Sequence, residues 1–358
     1  MAVQTAERHA EEDKAMNLRL LDILCDPVSK EPLGLTNEVL DADGRVLEGS
    51  LETPSGRHYR VKNGIPRFLP EAALSKSVES FGDEWNFFNF TQFKINWLTH
   101  TVRNTFGSVD TFKAKTIVDA GGGSGAQTLW MLEAGAEHVV MLELSDSVDD
   151  VVQRNLWPSG YRNYDVIQCS IDAPPLKPGS IDGIVYCHNV IQHTPSVEKT
   201  AAALFALVAP GGEFVFNCYP RNDRGVFRWI RFHLIYSPLR YILSRMPFKV
   251  TLAYARAMGV LRQVPGLGVF LEKSGFCVQG DVPRIDSEDA VSRLKRRYKT
   301  TVLNTFDGFG SHAFQHHKSD AEMRALVAEL QPDSQKVMNL EKYFSRPASI
   351  GCALRIFR

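Results

Sequence analysis

Four glycines in five positions, Gly121-Gly122-Gly123-Ser124-Gly125, follow Ile117-Val118-Asp119-Ala120. Without a Cβ the backbone there can take positive φ and bring its N–H groups close to a ligand. The loop reads as a nucleotide-type site at the carboxyl end of a first parallel strand. Glu143 lies 22 residues beyond Gly121 and ends a second apolar run, His138 to Leu142. That is near the spacing at which a carboxylate meets the two hydroxyls of a bound ribose. Histidine carries the second chemistry. Imidazole titrates near neutral pH, so His193, and behind it His188, His316 and His317, are candidates for a base that takes a proton from an attacking group. A satisfied structural role is the alternative for each. Three histidines in six positions (His312, His316, His317) also invite a metal reading. No cysteine lies near them and only Asp307 and Asp320 could help, so no metal is expected.

The elements that must position these groups alternate. Strand 116–119 is followed by helix 125–134, strand 138–143, and a helix from Ser147 to Leu156 that Ser145-Asp146 is suited to cap. Strand 164–169 comes third. A rigid loop, Pro174-Pro175-Leu176-Lys177-Pro178-Gly179-Ser180, precedes strand 181–187, helix 196–207 and strand 213–218. This rhythm implies a parallel sheet with helices on both faces, an α/β fold.

Gly121, Gly123 and Ala126 satisfy the loose G-x-G-x-x-G/A fingerprint, so the loop alone does not separate a nicotinamide dinucleotide from S-adenosylmethionine (SAM). Later segments do. Asp119 to Gly125 resembles the first motif of class I SAM-dependent methyltransferases, and Glu143 matches the acid ending their second strand. Ser180-Ile181-Asp182-Gly183-Ile184-Val185 is similar to their g-s-F-D-x-V segment. Asn189-Val190-Ile191-Gln192-His193-Thr194-Pro195 resembles V-L-H-H-T-P, with Gln192 in place of the first histidine, and Leu207 to Gly212 resembles the L-K-P-G-G turn. With five ordered motifs over 118–215, the chain resembles the small-molecule "type 11" group of that class. The resemblance implies a Rossmann-like, mostly parallel seven-stranded sheet whose last strand, 351–357 after 337–344, is antiparallel. It implies SAM as methyl donor and S-adenosylhomocysteine as product. Asp119, Gly121, Gly123 and Gly125 would cradle the methionine half and Glu143 the ribose, with Leu144 also in the cofactor site. Ser170 stands where the family usually has an acid for the adenine, so Ser170, Ile171 and Asp172 are the adenine candidates. Cys187 and Asn189 would meet the amino-acid end. Trp85, in an F-x-x-x-W segment with Phe81, is a candidate shield over the donor.

Ile23-Leu24-Cys25-Asp26-Pro27-Val28-Ser29, Gly56-Arg57-His58-Tyr59 and Asn63-Gly64-Ile65-Pro66 resemble a zinc-ribbon-like module fused ahead of bacterial methyltransferases. Asp26, Ser29, Glu52 and Ser55 stand at or near its cysteine positions, so metal binding does not carry over. Short strands at 45–49, 58–61 and 65–69, joined by Asp43-Gly44 and Asn63-Gly64 turns, are expected there. A helix is expected over 93–106. Beyond the fifth strand, 221–262 holds nine Arg or Lys against one acid, Asp223, at helical spacing with apolar residues. Three readings stay open for it: a solvated cap, a lid presenting arginine to an anionic acceptor, and at most peripheral contact with anionic lipid. No nucleic acid is expected. Ser319-Asp320-Ala321-Glu322 is a capping box for a helix ending at Leu330.

With 41 basic and 41 acidic residues the net charge names no partner. Six scattered cysteines without a C-x-x-C pair point to a reducing compartment. The polar start has no apolar signal region and no 18-residue apolar run occurs, so a cytoplasmic protein is expected. The expected division is a disordered lead-in at 1–16, the β-rich module at 17–72, a helical linker covering the cofactor site at 73–110, the SAM core at 111–220, a basic helical lid insertion at 221–300, and the rest of the sheet at 301–358. The function implied is methyl transfer from SAM to oxygen, nitrogen or carbon of a small molecule. The alternatives are a SAM-fold binding or regulatory partner without transfer, and an RNA or protein methyltransferase, which lacks support from any N-P-P-Y-type motif.

Overall fold

The apolar runs between Thr116 and Phe216 are buried along their length because helices and loops cover both faces of the strands they form. The structure, a computed structural model, describes residues 15–69, 82, 90–221, 223, 225–278, 288–310, 312–333 and 352–358. Its strands are β1 (Gly34–Leu40), β2 (Val46–Glu52), β3 (His58–Lys62), β4 (Ile65–Arg67), β5 (Thr116–Ala120), β6 (His138–Glu143), β7 (Tyr164–Gln168), β8 (Ile184–Cys187), β9 (Glu213–Pro220), β10 (His317–Lys318) and β11 (Cys352–Phe357). The main helices are α1 (Ala126–Glu133), α2 (Ser147–Leu156), α3 (Val197–Phe205), α4 (Phe248–Leu261), α5 (Leu267–Ser274), α6 (Ala290–Phe309) and α7 (Asp320–Leu330). The expectations for Phe81, Trp85 and strand 337–344 lie outside the described residues.

Strands β7-β6-β5-β8-β9 are parallel neighbours in that order, so the chain reverses its direction of travel across the sheet at β5. The carboxyl ends of β5 and β8 therefore flank the switch point where α/β folds bind ligands. Strand β11 runs antiparallel to β9 from Glu213 to Cys218, and β10 pairs in parallel with Tyr219 and Pro220 beyond it. The sheet is larger than the expected seven strands. The meander β1-β2-β3-β4 joins its other edge through Arg67↔Gln168, giving eleven strands among the described residues. Phe68 N–H donates to Gln168 O at 2.9 Å, and the Arg67 guanidinium bonds both Gln168 and Asp149. The N-terminal residues are thus an extension of the sheet. Met16 belongs to it too: fully buried and hydrogen-bonded with Val46, it corrects the expectation of a disordered residue there.

Asp26 is the hub of this extension. Its buried carboxylate accepts from Tyr59 OH at 2.6 Å, from the Ser29 and Val28 amides at 2.7 and 2.8 Å, and from Arg57 at 3.1 Å. Burial pushes its pKa up, but the Tyr59 hydroxyl and those amides outweigh it and hold it at about 2. Asp26→Ala leaves these donors unanswered, so a loss of roughly 2–4 kcal/mol is expected in denaturant unfolding.

Other departures have local causes. β1 went unread because most of its residues are exposed and no alternation marks it. The expected helix at 93–106 is broken, with a π turn at Trp97–Val102 between one-turn helices. Thr99 Oγ1 bonds back to Ile95 O at 2.7 Å, a bond that competes with the ladder. Trp97 is thereby set between Phe112 and Trp130, with Nε1 donating to Tyr186 OH. α2 begins without a side-chain cap, since Asp146 makes none. The capping box Ser319–Glu322 opens α7 with both of its reciprocal bonds. α6 runs through residue 300, so no chain break separates the insertion from the sheet's last part. Among the described residues no helix is long and apolar enough to cross a membrane.

Candidate active site

The glycine loop is held open by its backbone. Gly121, Gly123 and Gly125 have φ of 83°, 57° and 74°, the left-handed region that side chains disfavour. The Gly121 and Gly122 amides donate to Leu142 O at 2.7 and 3.1 Å, tying the loop to the end of β6. A Cβ at Gly121 would lie 2.4 Å from Val190 Cγ1, and one at Gly122 would lie 2.6 Å from Met141 Cγ. The segment after β8 therefore packs directly over the loop.

Two carboxylates flank it. Glu143 Oε2 accepts from the Gly123 amide at 2.8 Å, and Oε1 accepts from the Ser145 amide and hydroxyl at 2.8 and 2.7 Å. Burial raises its pKa against these bonds. Asp119, at the end of β5, accepts from Thr128 Oγ1 at 2.6 Å. Burial pushes it up to about 6, opposed by Thr128 and reinforced by the Glu143 charge. Neither acid forms an ion pair with Lys, Arg or His among the described residues. Buried, paired acids without a cation are costly, and a cationic ligand would relieve them.

The remaining cofactor candidates fall on the same edge of the sheet. Ser170 donates to Asp172 just beyond β7, with Ile171 buried between them. Leu144 O accepts from Gln168 Nε2 at 3.5 Å. Cys187 is buried at the end of β8, and burial drives its thiol pKa upward. Asn189 holds φ of 60°; its amide donates to Asn217 Oδ1 and its Oδ1 accepts from Asn217 Nδ2, both at 2.6 Å. Sequence reasoning missed the supports: Thr128, Ser145, Asn217, Asn155, whose Nδ2 donates to Ser124 O at 2.8 Å, and Ser147, whose Oγ donates to Gly123 O at 3.1 Å. Ser145 carries a signal, but one suited to a helix cap. Ser145 spends its hydroxyl on Glu143 instead.

The histidines separate. His193 sits at the end of a 3-10 turn, three residues after Val190. Its Nδ1 lies 3.1 Å from Phe314 O, which can only accept, so Nδ1 carries the proton and Nε2 the lone pair. Nε2 stands 3.7 Å from Asp307 Oδ1. Tyr219 OH donates to Asp307 Oδ2, and His312 Nε2 approaches Oδ1 at 3.7 Å. Burial lowers the His193 pKa, and Asp307 and the Phe314 carbonyl pull it back up. His188 is elsewhere, stacked on Tyr186 near Thr101, and burial pushes it down to about 4. His316 Nε2 donates to Thr194 O at 3.0 Å. His317 is packed among Tyr219, Phe232 and Tyr236, and burial pushes it down to about 3. Among the described residues no group of three His, Cys, Asp or Glu side chains could hold a metal ion.

Comparison with known proteins places this fold, glycine loop and pair of strand-end acids beside those of SAM-dependent methyltransferases, to which the core of the chain is similar. The profile of a methyltransferase-domain family matches residues 118–216. A ubiquinone biosynthesis O-methyltransferase of Aromatoleum aromaticum is 31% identical over 133 residues, 37% of this chain and 53% of the relative. One from Erwinia tasmaniensis is 24% identical over 196 residues, 55% of this chain and 74% of the relative. The chain spans about half the length of the first of these relatives. Among solved structures, magnesium protoporphyrin IX methyltransferase of Synechocystis with bound SAM is 21% identical, covering 42% of this chain and 80% of that one at a TM-score of 0.33. A SAM-dependent methyltransferase of Mesorhizobium loti is 16% identical over 69% and 93%, at a TM-score of 0.37.

Proposed function

We propose that this protein transfers the methyl group of SAM to a hydroxyl of a small-molecule acceptor. The observation that carries the reading is the pair of buried carboxylates, Asp119 and Glu143, at a glycine loop, with no cation paired to them among the described residues. SAM supplies both what they lack, a sulfonium and an ammonium, and an electrophilic methyl on the sulfonium. Gly121, Gly123 and Gly125 give the donor close access to backbone, Asp119 faces its cationic half, and Glu143 takes its ribose hydroxyls. Leu144, Ser170, Ile171 and Asp172 border the adenine, and Cys187 and Asn189 the amino-acid end.

On the acceptor side His193 is neutral, with its Nε2 lone pair held by the Phe314 carbonyl on the opposite nitrogen. That lone pair takes the acceptor's hydroxyl proton, the oxygen forms its bond to the methyl carbon, and the C–S bond breaks with its electron pair passing to sulfur. Asp307 then faces an imidazolium and stabilises it, itself positioned by Tyr219. Alignment of acceptor with the S–CH₃ axis supplies roughly 7–11 kcal/mol, and the base adds about 10²–10⁴-fold. In this reading residues 111–220 hold the donor, the insertion at 221–300 and the segment to His317 close the acceptor side, and 17–72 brace the far edge of the sheet. The free, buried cysteines fit a reducing compartment such as the cytoplasm.

Calorimetry with SAM and S-adenosylhomocysteine tests this. Both should bind, and Glu143→Ala should weaken each by roughly 10–100-fold through the lost charge-assisted hydrogen bonds. Absence of binding by the unaltered protein would sink the reading.

A further inference from the structure

Most large hydrophobic side chains that stand exposed among the described residues lie between Val226 and Phe270. Phe227 is 89% exposed, Val226 73%, Tyr241 62%, Leu234 60% and Phe270 60%. The insertion's own core is too small to cover them: Leu252 and Ala255 of α4 meet Val302 and Phe306 of α6, and little else is buried there. In the helical segment 226–243 the inner side is fully used. Phe232 and Tyr236 pack on His317, Tyr236 OH lies within hydrogen-bond reach of Gly308 O and Gln315 Oε1, and Arg240 donates to the Gly310 and His312 carbonyls. The outer side repeats Phe227, Ile230, Leu234 and Tyr241 at helical spacing.

Cations accompany this apolar stripe. Arg228, Arg245, Lys249, Arg256 and Lys273 are exposed, and the single acid within 225–278, Glu272, is engaged by Arg262. A patch this apolar marks an interaction surface, and one this basic selects an anionic partner. We propose that the outer face of the insertion docks on an anionic phospholipid bilayer. Exposed Trp229 and Tyr241 suit the headgroup boundary, where an aromatic ring needs one wet end and one apolar end. Among the described residues no helix is apolar enough to cross, and the segment lies in the interface, apolar stripe inward and arginines on the phosphates. A second copy docking on this face through the same patch would set like charges against each other.

Flotation of the full chain with vesicles is the test. Phosphatidylcholine vesicles containing roughly a third phosphatidylglycerol should carry the protein at low salt, pure phosphatidylcholine far less, and added salt should release it. Phe227→Glu with Leu234→Glu, both at exposed positions, should cut the bound fraction at least about tenfold. Arg228→Glu with Lys249→Glu should weaken it by roughly fivefold per cation. Thermal midpoint and SAM affinity, measured on the same samples, should not move, so failure of this proposal is distinct from failure of the donor site. No binding to the anionic vesicles, or binding that both variant pairs leave unchanged, overturns it. So does a dimer in light scattering that the Phe227→Glu/Leu234→Glu pair dissolves without any vesicle binding, which would give the face to a second copy.

Discussion

Asp119→Asn is expected to weaken SAM binding by roughly 10–100-fold while making the ligand-free protein more stable at neutral pH. The two effects share one cause. Asp119 is buried, its only hydrogen bond among those described is from Thr128, and Glu143 adds a second negative charge nearby. Burial has moved its pKa from 3.8 to about 6. A raised folded-state pKa means that this group's contribution to stability is fully present below pH 3.8 and is lost as pH rises through about 6. The full penalty above that window is on the order of 3 kcal/mol. Asparagine keeps an oxygen for Thr128 and removes the charge, so thermal midpoints of variant and parent should converge near pH 4 and separate in the variant's favour at pH 7 and above. SAM answers the same charge when it binds. In the parent its affinity should therefore fall as pH drops below about 6, while Asp119→Asn loses that pH dependence together with the affinity. An unchanged SAM affinity in the variant would remove Asp119 from the donor site.

His193→Ala should lower kcat by about 10²–10⁴-fold with SAM affinity unchanged if, as proposed, the imidazole serves the acceptor and not the donor. Asp307→Asn separates base from orienting group. Asp307 raises the His193 pKa against burial, so its neutralisation should move the acid limb of the kcat/KM profile to lower pH as well as reduce the rate. A purely structural Asp307 would lower activity at all pH values without moving that limb. A His193→Ala enzyme within tenfold of the parent would mean that the acceptor loses its proton without this base.

The glycine loop and the acids beside it were legible in the chain because their information is local. Asp119 to Gly125 is one strand end and one turn, and the residue types forbid most other backbones there. Glu143 follows at the distance that one helix and one strand impose. The strands from Thr116 to Cys218 were legible for the same reason, as buried runs with helices between them. The supports were harder. Ser145 has the residue type of a helix cap, but the Glu143 carboxylate takes its hydroxyl.

The amino-acid sequence by itself determined the α/β core and the glycine loop with its two acids, since both arise from contiguous motifs whose geometry the backbone dictates. Tertiary structure decided the rest. His193, Tyr219 and Asp307 meet only because β9 and α6 return the chain over the end of β8, and no spacing announces that meeting. The meander at 34–67 became part of the main sheet through one register pair at Arg67 and the bonds of its guanidinium. The insertion's exposed stripe is likewise a result of packing: its periodicity was visible, but which side remained uncovered depended on how little core α4 and α6 could offer.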